Sequence, residues 1–137
     1  MSKKSKILIV EGEVPLAMLM ISVLTMVGCN VEAAHTGLKA LEKAAETKFD
    51  LITLDISLPD TNGFFLCEKL KQRHISRNMP VIFISADPCD EDREQSLKLG
   101  AVDYIEKPFE PGNFVSRLFS HLEKAPTTNS PFDEEFP

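Results

Sequence analysis

The sequence predicts an α/β protein, a parallel five-stranded sheet held between two layers of helices. Two observations carry this. Short apolar runs alternate five times with longer segments at helical spacing, the pattern of parallel strands joined by right-handed crossover helices. The runs Ile7-Leu8-Ile9-Val10, Leu51-Ile52-Thr53-Leu54 and Val81-Ile82-Phe83-Ile84 also show almost no polar alternation, as expected of strands covered on both faces.

Taken in order, the first strand is Ile7 to Val10, and Glu11-Gly12-Glu13 ends it. Pro15 suits the first turn of a helix, where its missing N–H costs nothing. That helix runs to about Val27 and stops at Gly28, a usual C-terminal cap. Val31 to Ala34 is the second strand. Gly37 opens a helix with Leu38, Leu41, Ala44 and Ala45 at helical spacing. The third strand, Asp50 to Leu54, runs into Asp55. The turn cluster Pro59, Asp60, Asn62 and Gly63 follows. A helix from Phe64 ends in Lys69, Lys71 and Arg73, which complement its dipole. Pro80 to Ile84 is the fourth strand and leads into Ser85. Asp90 to Leu99 is an acid-started helix closed by Gly100. Val102 to Ile105 is the fifth strand, Lys107-Pro108 a turn, and Pro111 to about Lys124 the last helix. At this size the natural arrangement is a flavodoxin-like (βα)5 three-layer sandwich with strand order 2-1-3-4-5. Residues 1–124 form the domain, and residues 125–137, rich in Pro, Thr, Ser and acids, read as a disordered acidic tail.

Composition bounds the function. The 137 residues are 43% hydrophobic and 26% charged, as in a soluble globular domain. Half of the net charge of −6 comes from Asp133, Glu134 and Glu135 in the tail, and the balance argues against a nucleic-acid surface. No membrane segment is expected. The apolar stretch Val14 to Val27 is too short to span a bilayer, and Ile7 to Val10 is too short for a signal peptide. Cys29, Cys67 and Cys89 are odd in number and lack metal-type spacing, so reduced thiols in a cytoplasmic protein are expected. Cys89 reads as an exposed thiol, and His35 and His74 as surface residues.

With that strand order, Glu11, Asp55, Ser85 and Lys107 stand at four strand ends and meet in one shallow cleft. In open α/β sheets the carboxyl edge is where ligands bind. Each residue alone has an ordinary role, Asp55 for instance as a turn former. Four together are harder to dismiss.

The chain resembles a receiver domain of the response regulators of two-component signalling, in the CheY-like superfamily. The resemblance rests on Lys6-Ile7-Leu8-Ile9-Val10, Asp55 through Gly63, Ile84-Ser85-Ala86 and Gly100 through Phe109, and it covers roughly residues 5 to 124. It implies that Asp55 accepts a phosphoryl group from a histidine kinase or a phosphotransfer protein. It also implies that Ser85 bonds a phosphoryl oxygen, that Lys107 is the lysine of the family pattern and that Tyr104 is the switch aromatic. Glu11, Asp55 and the backbone carbonyl of Ser57 would hold Mg²⁺. The effect would pass to a separate downstream protein target, or else the chain is a fragment of a larger protein, and the domain is a switch rather than an enzyme. One position departs from the pattern. The family places two adjacent acids after the first strand, and here they are Glu11-Gly12, so the metal site loses a carboxylate. The alternative is therefore a degenerate receiver acting as a phosphorylation-independent interaction module. The retained Asp55, Ser85 and Lys107 favour the phospho-accepting reading.

The first helix carries no charged residue. Helical spacing assigns Leu16, Leu19, Met20, Val23 and Leu24 to the sheet. Met18, Ile21, Ser22 and Thr25, with Met26 nearby, are left facing outward. Such a Met-rich stripe predicts a protein contact, with a partner or in a homodimer. For the tail a frayed end is the default reading, with Phe132 and Phe136 as the residues that would anchor it to a partner.

Overall fold

A computed structural model describes residues 4–124. Its strands are β1 (Lys6–Val10), β2 (Asn30–Ala34), β3 (Leu51–Asp55), β4 (Val81–Ser85) and β5 (Asp103–Glu106). Its helices are α1 (Val14–Met26), α2 (Gly37–Glu46), α3 (Gly63–Lys71), α4 (Asp90–Lys98) and α5 (Pro111–Lys124). The strands form one sheet in the order β2-β1-β3-β4-β5, and every pairing is parallel. This is the expected order. The tail, including Phe132 and Phe136, lies outside the described residues.

Successive residues of a strand point to opposite faces, and the sheet uses both. On one face Leu8, Val10, Ile52, Leu54 and Phe83 pack with Ala40 and Ala44 of α2 and Leu66 and Leu70 of α3. On the other, Ile7, Ile9, Leu51, Ile82 and Ile105 pack with Met20 and Leu24 of α1 and Phe114 and Leu118 of α5. Each such fully buried Leu, Ile or Phe contributes about 1.5–3 kcal/mol by transfer from water. Side-chain oxygens start two helices: Thr36 Oγ1 accepts from Lys39 N–H at 3.1 Å, and Asn62 Oδ1 accepts from Phe65 N–H at 2.9 Å. Gly28 (φ 99°) and Gly100 (φ 84°) follow α1 and α4 in the left-handed region that glycine enters without steric cost.

The strands sit about a residue away from their expected bounds. Asp55 and Ser85 are the last residues of β3 and β4 because the ladder continues through them, pairing Asp55 with Ile84 and Ser85 with Glu106. Asp50 lies before β3, where its carboxylate accepts from Lys6 N–H at 2.8 Å.

The face assignment of α1 needs one correction. Ala17, Met20 and Leu24 are buried, with Leu16 and Val23 packed beside them. Leu19 instead is 43% exposed, and Ile21 is only partly exposed. With Ser22 and Thr25 its only polar residues, the helix has little to mark its outer side, and the pattern does not single out the small Ala17, which lets it sit close to the sheet. Met18 and Met26 are exposed as expected. Among the described residues, no helix is long and apolar enough to cross a membrane.

Candidate functional site

The carboxyl ends of β1, β3 and β5 bring three charged residues together. Glu11 follows β1, its backbone fixed by a 3.0 Å hydrogen bond from its N–H to Ala34 O. Asp55 closes β3. Lys107 follows β5, its N–H donating to Ser85 O at 2.8 Å, and its peptide bond to Pro108 is cis. Lys107 Nζ lies 3.1 Å from Glu11 Oε2 and 3.3 Å from Asp55 Oδ2. All three side chains are buried or nearly so. One ammonium therefore serves two carboxylates.

The remaining oxygens differ. Glu11 Oε2 also accepts from Glu13 N–H at 3.1 Å, and Asp55 Oδ1 accepts from Ser57 N–H at 3.2 Å. Glu11 Oε1 is buried without a partner among the described residues. Burial, together with the neighbouring Asp55 carboxylate, pushes the Glu11 carboxyl up from 4.5 to about 7. Burial works against the charge of Lys107, but hydrogen bonding and attraction to Glu11 and Asp55 outweigh it and raise its pKa.

Ser85 is at the site but turned aside. Its Oγ accepts from Asp87 N–H at 3.1 Å, and among the described residues no hydrogen bond joins it to Asp55 or Lys107. Tyr104, in β5, is buried, and its hydroxyl has no partner among the described residues. Ser57 is exposed in the loop after β3. Leu58 N–H donating to Thr61 O at 3.1 Å and Gly63 N–H donating to Ile56 O at 2.8 Å close that loop. Gly63 has to be glycine, since a Cβ there would lie 2.7 Å from the carbonyl oxygen of Asp55.

Three contacts escaped the sequence reading. His35 is half-buried rather than a bare surface residue, and its Nδ1–H donates to Glu11 O at 2.9 Å. A ring bonded to a backbone carbonyl leaves no signal in sequence. Asp60, read only as a turn former, accepts from Gly37 N–H at 2.8 Å and Leu38 N–H at 3.0 Å, and these bonds lower its pKa. It ties the acceptor loop to the first turn of α2. Arg93 of α4 lies over the Tyr104 ring, 4.6 Å from its centroid.

The donor set suits a hard divalent cation. Mg²⁺ takes one or two carboxylates and keeps several waters, and the unpartnered Glu11 Oε1 is the kind of oxygen such an ion would satisfy. Gly12 adds no side chain. A Cβ there would sit 3.3 Å from Pro59 Cδ and 3.9 Å from His35 O, beside the cleft. Among the described residues, no cluster of three or more His, Cys, Asp or Glu forms a metal cage.

A second charged cluster lies at the start of β5. Arg117 of α5 donates to both Asp103 oxygens, with Nε 3.1 Å from Oδ2, and His121 Nε2 lies 3.0 Å from Oδ2. Burial works against the Asp103 charge, but the bonds from Arg117, Tyr104 N–H and His121 outweigh it and lower its pKa.

Residues 7–119 match the family described as response regulator receiver domain. The chain is 37% identical over 122 residues to the response regulator ArlR of Staphylococcus aureus, covering 89% of this chain and 54% of that protein. It is also 37% identical over 111 residues to the probable transcriptional regulator ycf29 of Pyropia yezoensis, covering 81% and 50%. The chain thus spans about half the length of these curated relatives. Among solved structures, a CheY-like response regulator receiver domain protein from Methanospirillum hungatei superposes with a TM-score of 0.83 at 31% identity, covering 89% of this chain and 96% of that one. The signal receiver domain of a signal transduction histidine kinase from Syntrophus aciditrophicus does so with a TM-score of 0.81 at 31% identity, covering 92% and 96%.

Proposed function

The chain belongs to the response regulator receiver domain family of two-component systems, and on that premise we propose that it is a phospho-accepting switch with Asp55 as the acceptor. The observation that carries this is the shared cation: Lys107 Nζ stands 3.3 Å from the Asp55 carboxylate at the carboxyl edge of the sheet. An Asp55 oxygen attacks the phosphorus of a phosphohistidine, the P–N bond breaks, its electrons pass to the leaving imidazole, and an acyl phosphate forms. Phosphoryl transfer asks mainly for positioning and charge stabilisation. Lys107 supplies a fixed positive charge beside the acceptor. Ser85 Oγ accepts from Asp87 N–H and keeps its own O–H to donate; drawing that hydroxyl onto a phosphoryl oxygen moves the loop after β4. Glu11, Asp55 and the Ser57 carbonyl would hold Mg²⁺, which when bound supplies charge neutralisation for the phosphoryl oxygens.

The donor is a histidine kinase or phosphotransfer protein, the output a changed protein-binding surface read by a protein target, and the setting cytoplasmic. The test is intact mass after incubation with acetyl phosphate and Mg²⁺. The wild type gains one phosphoryl group, and Asp55→Asn gains none. An adduct that survives in the Asn variant overturns the assignment.

A further inference from the structure

Ser85 Oγ accepts from Asp87 N–H, and Tyr104 is only 7% exposed. Packing with the buried cluster that includes Val10, Leu54 and Phe83 holds the ring in part. Its own hydroxyl does not, having no partner among the described residues. What lies over the ring is Arg93, with the guanidinium carbon 4.6 Å from the centroid. Arg93 is fixed in turn by Glu106, two residues beyond Tyr104 on β5, through a 2.6 Å contact between Nη2 and Oε2. Arg93 thus links α4 to β5 by stacking on the aromatic and pairing with the acid two residues on. A cleft of about 240 Å³ lined by Arg93, Leu97, Val102 and Arg117 adjoins the ring and gives it room to swing once the guanidinium leaves.

We infer that Arg93 is a positioning residue, anchored by Glu106, that holds Tyr104 inward before any phosphoryl group arrives. This deepens the proposed function by adding a regulatory element to the same switch. It rests on that reading for the meaning of Tyr104, though not for its position. The consequence is an α4–β5 face set in advance, which phosphorylation alters less than it would if the ring were free.

Tyr104 is the single tyrosine and the chain has no tryptophan, so intrinsic tyrosine emission reports this ring alone. Acrylamide, a neutral quencher, is titrated without and with acetyl phosphate and Mg²⁺. In the wild type, Tyr104 is protected without the phosphodonor, and Asp55→Asn is protected to the same extent. In Arg93→Ala the quenching constant rises roughly threefold, a scale consistent with losing one cation–π contact, and it falls again with the phosphodonor. Arg93→Lys keeps a cation over the ring and retains most of the protection. Glu106→Gln, which leaves the stacking atoms in place, shows a smaller rise than Arg93→Ala. The Arg93 side chain is 46% exposed, so its truncation leaves the far-ultraviolet circular dichroism unchanged. Equal quenching of wild type and Arg93→Ala without phosphodonor overturns the inference, as does a wild-type ring already open to acrylamide. Failure of Asp55 to take up phosphate overturns the proposed function alone, since the unphosphorylated pair still decides the role of Arg93.

Discussion

The cluster at the sheet's carboxyl edge and the cluster at the start of β5 each join three ionisable side chains, in opposite proportions. At the edge, two acids, Glu11 and Asp55, share one cation, Lys107. On β5, one acid, Asp103, is served by Arg117 and His121. The consequences run in opposite directions. Glu11 is pushed up to about 7 and keeps an unpartnered oxygen, whereas Asp103 is held below its ordinary value with both oxygens bonded. A cluster short of positive charge has capacity left for a proton, a cation or a phosphoryl group. A cluster with donors to spare, both oxygens of its one acid already bonded, has none and serves to fasten α5 to β5. Two sites of the same chemistry differ in role because of that single ratio.

The strongest way to break the comparison is to remove the shared cation. Lys107→Met strands two buried carboxylates, and losing one partner of a buried ion pair costs about 3–5 kcal/mol. Urea unfolding at pH 8 shows that loss, intact mass shows no phosphorylation, and the deficit shrinks at pH 5 as Glu11 takes a proton. Arg117→Ala is the counterpart on β5. It removes charged hydrogen bonds from a partly exposed pair and costs about 1–2 kcal/mol, with phosphorylation of Asp55 retained. A larger loss than for Lys107→Met would reverse the roles assigned here.

Titration sharpens the contrast. The folded Glu11 carboxyl holds its proton more tightly than the unfolded one. Its stabilising contribution is therefore complete below 4.5 and is lost as pH rises through about 7. Asp103 has the opposite sign: its contribution is present above 3.8 and is lost as pH falls through its depressed folded value. Glu11→Gln flattens the stability profile between pH 4.5 and 7, and Asp103→Asn flattens the acid limb, both measured as urea midpoints across pH. The smallest effect on stability comes from tilting the ratio further. Gly12→Asp needs Pro59 to give by a few tenths of an ångström and changes stability by less than about 1 kcal/mol. By adding a carboxylate it tightens Mg²⁺ binding in a titration, and an unchanged affinity shows that residue 12 does not face the ion.

Much of this site was legible before the structure. Apolar runs without alternation fixed the strands, and the residues ending them, Glu11, Asp55, Ser85 and Lys107, followed from the strand order. The sharing of Lys107 between two carboxylates was not legible, because Glu11 and Lys107 lie 96 residues apart and the stoichiometry of a cluster is a property of distances. The roles of Arg93, Asp60 and His35 were hidden for related reasons. The first stacks on a ring and pairs with an acid thirteen residues on, and the other two bond backbone groups of other segments, so none follows a spacing that marks a contact. In α1 the contrast is low, since a helix whose only polar residues are Ser22 and Thr25 leaves Ala17 and Leu19 indistinguishable by pattern.

The glycine after the acceptor loop has a consequence of another kind. Gly63 presses the start of α3 against the Asp55 carbonyl, at a separation that no side chain fits. That restraint is contact between uncharged atoms, so neither ionic strength nor acidity weakens it. The cleft's charges change with its occupants, but its floor keeps one shape throughout, and successive occupants meet the same geometry.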